Sequence, residues 1–180
     1  LFSAFMIRCR SLAREHGQLG FMSPFVWMFI STHEDLRRTL ILGSTLTSLV
    51  QLEYSGFEGA TVPICTFTLR NSHLAGHTSS FIRLSEFRGA ANQGPRTLEA
   101  IRDRKCRWFY HVCPDEFTKI PGNPIAYWIS SEERAGYRAG RTLGTACQLR
   151  KGLDTGDNNR FLRMWSEIPW ASLSVSANAK

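Results

Sequence analysis

Apolar residues at the start of the chain recur at helical spacing: Leu1, Phe5, Cys9 and Leu12, widened by Met6 and Ala13, with Arg8, Arg10, Arg14 and Glu15 outside the stripe. Side chains three and four residues apart share one face of a helix, so this pattern predicts an amphipathic helix across residues 1–13, with Gly17 as its C-terminal cap. Residues 19–22 are a short apolar run closed by Ser23-Pro24, the profile of a buried strand that ends where proline turns the backbone away. Thr32, followed three residues later by Asp35, predicts the start of a second helix carrying Leu36 and Leu40, with Gly43 just past its end. Two strands are expected next, over 46–54 and 61–69. In the second, Val62, Ile64, Thr66 and Thr68 alternate with Cys65, Phe67 and Leu69, which assigns the two sets to opposite faces. Pro63 cannot donate to a sheet ladder and belongs at that strand's start or on an edge.

The organisation changes after Asn71. Residues 81–84 and 107–112 read as short strands and 97–104 as a helix between them. A turn-rich corner over 120–124 precedes an apolar run at 125–129, expected to be a further strand, and Ser130 or Ser131 is placed to cap a helix running through Tyr137, with Gly140 beyond it. The tract 151–161 is polar and punctuated by glycine. One feature stands outside every periodic pattern. In Ser55-Gly56-Phe57-Glu58-Gly59-Ala60, between the two predicted strands, two glycines loosen the backbone around an aromatic with no partner at strand or helix spacing.

With 180 residues, 43% of them hydrophobic, the chain can bury one real core and is no disordered tail. No apolar run approaches the roughly 20 residues of a membrane-spanning helix, and no basic-then-apolar signal opens the sequence, so no membrane association and a cytoplasmic location are expected. The first residue is Leu1, already within the pattern of a regular element, which suggests a truncated chain. Five scattered cysteines are expected to be reduced, mostly buried thiols. The net charge of +7 is unevenly placed: residues 1–69 carry five basic and five acidic side chains, whereas 70–163 carry sixteen basic against nine acidic. Such asymmetry fits a neutral scaffold followed by a segment that meets a polyanion, since neutralising phosphates releases counterions; solubility alone would account for it too.

Several stretches carry a family resemblance. Leu1-Phe2-Ser3-Ala4-Phe5 followed by Gly17-Gln18-Leu19-Gly20-Phe21-Met22-Ser23-Pro24 resembles a late helix and strand of adenine-specific amino-methyltransferases. Glu53-Tyr54-Ser55-Gly56-Phe57-Glu58-Gly59-Ala60-Thr61-Val62 is similar to the loop in which that family places a phenylalanine before a strand. Gln51 to Pro63, Phe81-Ile82-Arg83-Leu84-Ser85-Glu86-Phe87-Arg88-Gly89, Ile120-Pro121-Gly122-Asn123-Pro124-Ile125-Ala126-Tyr127-Trp128 and Thr155-Gly156-Asp157-Asn158-Asn159-Arg160-Phe161-Leu162-Arg163 together resemble one subfamily, the PglX-like adenine-specific DNA methyltransferases of BREX phage defence, through about Trp165.

The resemblance implies an α/β fold: residues 1–71 as the C-terminal half of a Rossmann-like S-adenosylmethionine-dependent methyltransferase domain with its antiparallel hairpin, and residues 72–180 as a mixed α/β connector entering a target-recognition region. It implies double-stranded DNA and other BREX proteins as partners and S-adenosylmethionine as cofactor. The family's glycine-rich cofactor loop and its catalytic Asn/Asp-Pro-Pro-Tyr/Phe tetrapeptide do not occur in this sequence, so no catalytic residue is assigned and the chain alone is expected to be inactive.

Phe57 matches the family's stacking phenylalanine, which compensates an adenine extruded from the duplex for lost stacking; burial in the core is its alternative. Pro24, Gly56 and Gly59 would form the pocket wall, although Pro24 serves equally as a plain strand terminator. Phe2 and Phe5 would lie beside the cofactor, with core packing the competing role, above all for Phe5. Lys151, Arg160 and Arg163 are candidates for DNA-backbone contact, or solvated surface charge. His73-x-x-x-His77 and Cys106-x-x-x-x-His111-x-Cys113 lack the frame of a zinc site. A bifunctional restriction-modification enzyme and a noncatalytic DNA-binding module are the other readings.

Overall fold

In the computed structural model the described residues are 1–57, 62–140, 143–148, 156–157, 160 and 162–172. Five strands form one mixed sheet: β1 (Gln18–Pro24), β2 (Thr45–Gln51), β3 (Ile64–Arg70), β4 (Ser79–Arg83) and β5 (Phe109–Val112), in the order β1-β3-β2-β4-β5. β3 pairs antiparallel with both β1 and β2, so these two outer strands run parallel to each other, while β2 pairs parallel with β4 and β4 antiparallel with β5. The predicted antiparallel hairpin is thus present, with β3 returned between two mutually parallel strands. Across the parallel set the carboxyl ends fall together, since Pro24 lies opposite Ile64, Gln51 opposite Cys65, and Arg83 opposite Gln51. The fold is mixed α/β, as expected.

The predicted alternation in β3 is realised: Cys65, Phe67 and Leu69 are buried while Thr68 is exposed. Together with Leu46, Leu49 and Phe81 they form the floor of the larger core, which is roofed by Met6, Trp27, Met28, Leu36, Leu40, Ile41, Phe117 and Tyr127. Leu46 and Leu49 share this face, although three residues apart, because the β2–β3 register shifts between Leu46 and Ser48. The opposite face carries a smaller cluster, Ile82, Leu84 and Ala100 with Val50, Leu52, Phe87 and Trp108 against it, beneath helix α3 (Ala90–Arg102). The core and the sheet run on past Asn71, and residues 1–140 form one compact unit. In the second unit, residues 141–180, the described elements are a four-residue helix, Leu143–Ala146, and the single turns Trp165–Glu167 and Trp170–Ser172.

Helix α1 (Phe2–Leu12) forms, but turned from the expected stripe: Met6 is buried, whereas Leu1, Phe5 and Leu12 are exposed. Polar anchoring overrides the apolar count. The Arg10 guanidinium donates to Gly43 O at 2.6 Å, and the Asn71 amide donates to the carbonyls of Arg10, Ala13 and Arg14. The cap is therefore Ala13 with Asn71 rather than Gly17. Gly43 ends helix α2 (Glu34–Gly43), and the Arg10 guanidinium lies against its open Cα. Thr32 does not cap this helix; a short turn, Ser31–His33, precedes it and His33 occupies the cap position without a side-chain bond.

Two further expectations change. The apolar run 125–129 is a buried turn rather than a strand: Ile125 N–H donates to Met28 O at 3.0 Å, and Ile125, Ala126 and Tyr127 are buried. A short apolar run bounded by Pro124 does not by itself distinguish strand from packed loop. The helix expected from Thr97 begins instead at Ala90 and accommodates Pro95. Helix α4 (Ser131–Ala139) is capped as expected: Ser130 Oγ accepts from Glu133 N–H at 3.2 Å and Glu133 reciprocates on Ser130 N–H at 2.8 Å. Of the five cysteines only Cys65 is buried; burial pushes its thiol up to about 11. No helix among the described residues is long and apolar enough to cross a membrane.

Candidate functional site

Ligands of open α/β sheets sit beyond the carboxyl ends of parallel strands, because backbone loops converge there while side chains fill the sheet faces. In this chain that edge is formed by Pro24, Gln51 and Arg83. Leaving β2, residues 52–57 fold back on themselves: Ser55 donates from N–H and Oγ to Glu53 Oε2 (3.0 and 2.6 Å), and Gly56 N–H donates to Glu53 O at 2.9 Å. These bonds hold the Glu53 carboxyl below its usual range, the Ser55 hydroxyl contributing most.

The turn is also tied to the start of α3. Buried Gln93 accepts from Glu53 N–H at 3.1 Å and donates to the carbonyls of Phe87 (2.5 Å) and Gly89 (3.0 Å), while Gly89 N–H reaches Glu53 Oε2 at 3.4 Å. Gly56 is buried in this knot. A Cβ there would lie 2.9 Å from both Gln93 Cδ and Glu53 O, so close approach, and not an unusual backbone angle, requires the glycine. From this pinned base the aromatics project outward: Phe57 is 45% exposed and Tyr54 59%. The ring of Phe57 is not sealed in the core.

The other expected residues distribute as follows. Pro24 closes β1, and the chain then enters a short turn, Phe25–Met28, anchored by Phe25 N–H on Pro63 O at 2.8 Å. Phe2, in the first turn of α1, is partly buried with its ring edge-on to His33 at 5.3 Å, and Ser3 Oγ lies 3.4 Å from His33 Nδ1. Phe5 points elsewhere and is 60% exposed, so it does not pack in the core. Gly59 and Lys151 lie outside the described residues. Arg160 and Arg163 belong to the second unit and are exposed; Arg160 N–H donates to Asp157 Oδ1 at 3.1 Å.

Sequence reasoning singled out neither Gln93, which has no motif around it, nor Arg83 and Trp128 as site residues. Yet three of the stretches that carried the resemblance meet here. Tyr127 OH donates to Gln51 Oε1 at 2.7 Å, Tyr127 stacks on Phe81 at 4.7 Å, and the Arg83 guanidinium lies 4.4 Å from the Trp128 ring centroid. The Tyr127 hydroxyl is raised well above its ordinary range by burial, so it remains a neutral donor.

No protein-family model matches the sequence. The adenine-specific methyltransferase PglX of Lacticaseibacillus casei (strain Zhang) is 29% identical over 184 residues, covering 99% of this chain and 15% of that protein. The adenine-specific methyltransferase BrxX of Escherichia coli O9:H4 (strain HS) is 31% identical over 172 residues, covering 93% of this chain and 14% of that protein. The chain is homologous to one segment of the PglX and BrxX methyltransferases. It spans about one seventh of their length. Among solved structures, a type I restriction-modification methyltransferase subunit from Streptococcus thermophilus superposes with a TM-score of 0.49 at 17% identity, over 67% of this chain and 28% of that one. The M protein of the type I restriction enzyme EcoKI superposes with a TM-score of 0.41 at 15% identity, over 46% and 19%. Against the PglX and BrxX relatives, the alignments run nearly end to end along this chain, so the pinned turn, the β2–β3 hairpin and the Tyr127-Trp128 corner all fall within the homologous segment.

Proposed function

We propose that this chain is part of a site-specific DNA methyltransferase that transfers a methyl group from S-adenosylmethionine to the exocyclic amine of adenine, acting in BREX phage defence. Homology over nearly the whole chain to two proteins named adenine-specific methyltransferases carries this reading. In it, residues 1–71 contribute part of the catalytic domain and the remainder leads toward target recognition. Phe57 offers its exposed ring to the extruded adenine, and Gly56, held against Gln93, keeps the turn short enough for the ring to stand clear of the sheet edge. Pro24 is assigned to the pocket wall, as is Gly59 by the family resemblance. Phe2, at the start of α1, is assigned to the cofactor side, and Phe5, exposed on the same helix, is assigned there by the family resemblance alone; Lys151, Arg160 and Arg163 hold DNA phosphates, and other BREX proteins assemble with the whole enzyme.

S-adenosylmethionine, when bound, supplies an activated methyl on its sulfonium. The sequence holds no glycine-rich cofactor loop and no Asn/Asp-Pro-Pro-Tyr/Phe tetrapeptide, so this chain's residues orient the base and exclude water rather than contact the reacting amine. The chain alone therefore transfers no methyl group. The test is to incubate duplex DNA with labelled S-adenosylmethionine and either the intact protein or the isolated chain, then digest and quantify methylated nucleosides. N6-methyladenine from the intact protein only is the expected result. Methylcytosine, no product from the intact protein, or turnover by the isolated chain would overturn the reading.

A further inference from the structure

Arg83 ends β4 at the same carboxyl edge as Gln51, and its side chain shares the sheet face of Phe81. Its guanidinium is partly buried and lies against Trp128, which is itself braced by Phe29 at 5.5 Å and Tyr127 at 5.1 Å. The Arg83 side chain makes no ion pair and no hydrogen bond among the described residues, and its Nε is buried without a partner. Arg37 and Arg134 behave differently, donating to carbonyl oxygens. The Glu53 carboxylate, on the α3 side, is engaged by Ser55 and Gly89. A partly desolvated cation is costly unless it is paired, and stacking on an indole recovers only part of that cost. The indole covers one side of the guanidinium, and the two Nη atoms, which are not among the buried unpartnered atoms, stay accessible to a ligand.

We propose that the Arg83–Trp128 stack is a phosphodiester clamp that grips the DNA strand beside the extruded adenine. This inference rests on the functional reading above and extends it to a positioning residue of that site. A planar fork at a sheet edge matches two phosphate oxygens, whereas a solvated lysine would act as a point charge. The clamp fixes the backbone from which the base swings out, so that Phe57 meets the purine in one orientation.

The test uses the intact protein and target duplexes carrying a single methylphosphonate, a neutral phosphate mimic, at successive positions around the adenine. Wild type is expected to lose about tenfold in affinity at one position. Arg83→Gln should bind the unmodified duplex about tenfold more weakly, lose nothing more at that position, and show a salt dependence of log K shallower by about one. Arg83→Lys keeps the charge, so its salt slope should be unchanged, and it provides a folded control if Arg83→Gln melts early. Equal methylphosphonate losses in wild type and variants at every position would overturn the clamp. So would an Arg83→Gln effect confined to the KM for S-adenosylmethionine, which would assign the anion as the cofactor carboxylate. Failure of wild type to methylate adenine would sink the functional reading instead, and is scored separately.

Discussion

Replacing Arg37 by methionine tests how the site edge is held. Arg37 is 1% exposed, and its guanidinium donates to four carbonyl oxygens: Trp27 and Ile30, both at 2.7 Å, Gly122 at 2.6 and 3.1 Å, and Asn123 at 3.0 Å. Burial lowers its pKa from the ordinary arginine value, and the negative charge of Glu34 acts the other way. The acceptors come from two chain segments, the turn after β1 and the corner at 122–123, where Gly122 (φ +80°) and Asn123 (φ +49°) adopt left-handed angles. Methionine fills similar space but leaves those carbonyls without their donors. Hydrogen bonds to a charged group contribute about 1.5–3 kcal/mol each, and an orphaned buried acceptor costs about 1–3 kcal/mol. Relaxation and water entry recover part of this, so a net loss of about 3–5 kcal/mol is expected, the range for removing one partner of a buried charged network. At about 2–4 °C per kcal/mol for a chain of this size, the melting temperature should fall by roughly 6–20 °C. Circular dichroism melts and urea titrations of wild type, Arg37→Met and Arg37→Lys measure it. A loss below about 1 kcal/mol for Arg37→Met would refute the claim that this side chain ties the corner at 122–123 to α2 and the turn after β1.

Phe57→Ala in the intact protein should lower kcat/KM for adenine methylation by roughly tenfold or more, the worth of one base–aromatic stack, with little change in nonspecific DNA affinity; equal losses in the two assays would count against stacking. Gln93→Leu keeps the volume but removes three bonds to Glu53, Phe87 and Gly89, and should cost about 1–3 kcal/mol in urea unfolding while speeding amide exchange at Glu53; unchanged exchange would contradict the pin. The depressed Glu53 carboxyl means that its bonds to Ser55 and Gly89 are present above the ordinary carboxylate range and are lost as pH falls through the depressed value. Amide shifts of Ser55 and Gly89 should therefore titrate together in acid, and should be pH-independent in Glu53→Gln. The buried Cys65 thiol, raised to about 11, favours the fold below the ordinary thiol range and withdraws that contribution as pH climbs toward 11. In the native state at pH 8, Cys65 should resist alkylation while exposed Cys147 reacts, as peptide mass mapping would reveal.

The hairpin was legible because β3 alternates without interruption and Pro63 fixes where its ladder can begin; such a strand has one buried face and hence one register. The α4 start was legible for a similarly local reason, a serine three residues before a glutamate. The facing of α1 was not. Its orientation is decided by Arg10 on Gly43 and Asn71 on Arg10, Ala13 and Arg14, contacts across 33 and up to 61 positions that no periodicity encodes. The buried turn at 125–127 misled for a different reason, since an apolar run reports burial and not conformation. Phe57 stood out in the sequence as an aromatic without a periodic partner, and its exposure agrees with that signal. Gln93, which holds its loop, carries no signal at all: a glutamine within a helix is ordinary until the fold brings Glu53 to it.

That asymmetry has a physical origin which also bears on function. A residue that breaks a local pattern, as the loop aromatic Phe57 does, is conspicuous in the sequence, whereas an arginine left unpaired only by the fold is not. Positioning residues obey every local rule and act through bonds to distant backbone. The carboxyl edge combines both kinds. Gln93 and Glu53 fix the base of the turn from the α3 side, while Arg37, through Gly122 and Asn123, fixes the corner that carries Tyr127 and Trp128 on the opposite face. Gln51, bonded to Tyr127, and Arg83, lying against Trp128, join that corner to neighbouring strand ends. A loop and a corner braced from opposite faces of one sheet can hold an aromatic ring and a cationic fork at fixed separation. In the proposed reading, such bracing would let one strand end hold the backbone while the neighbouring loop receives the turned base.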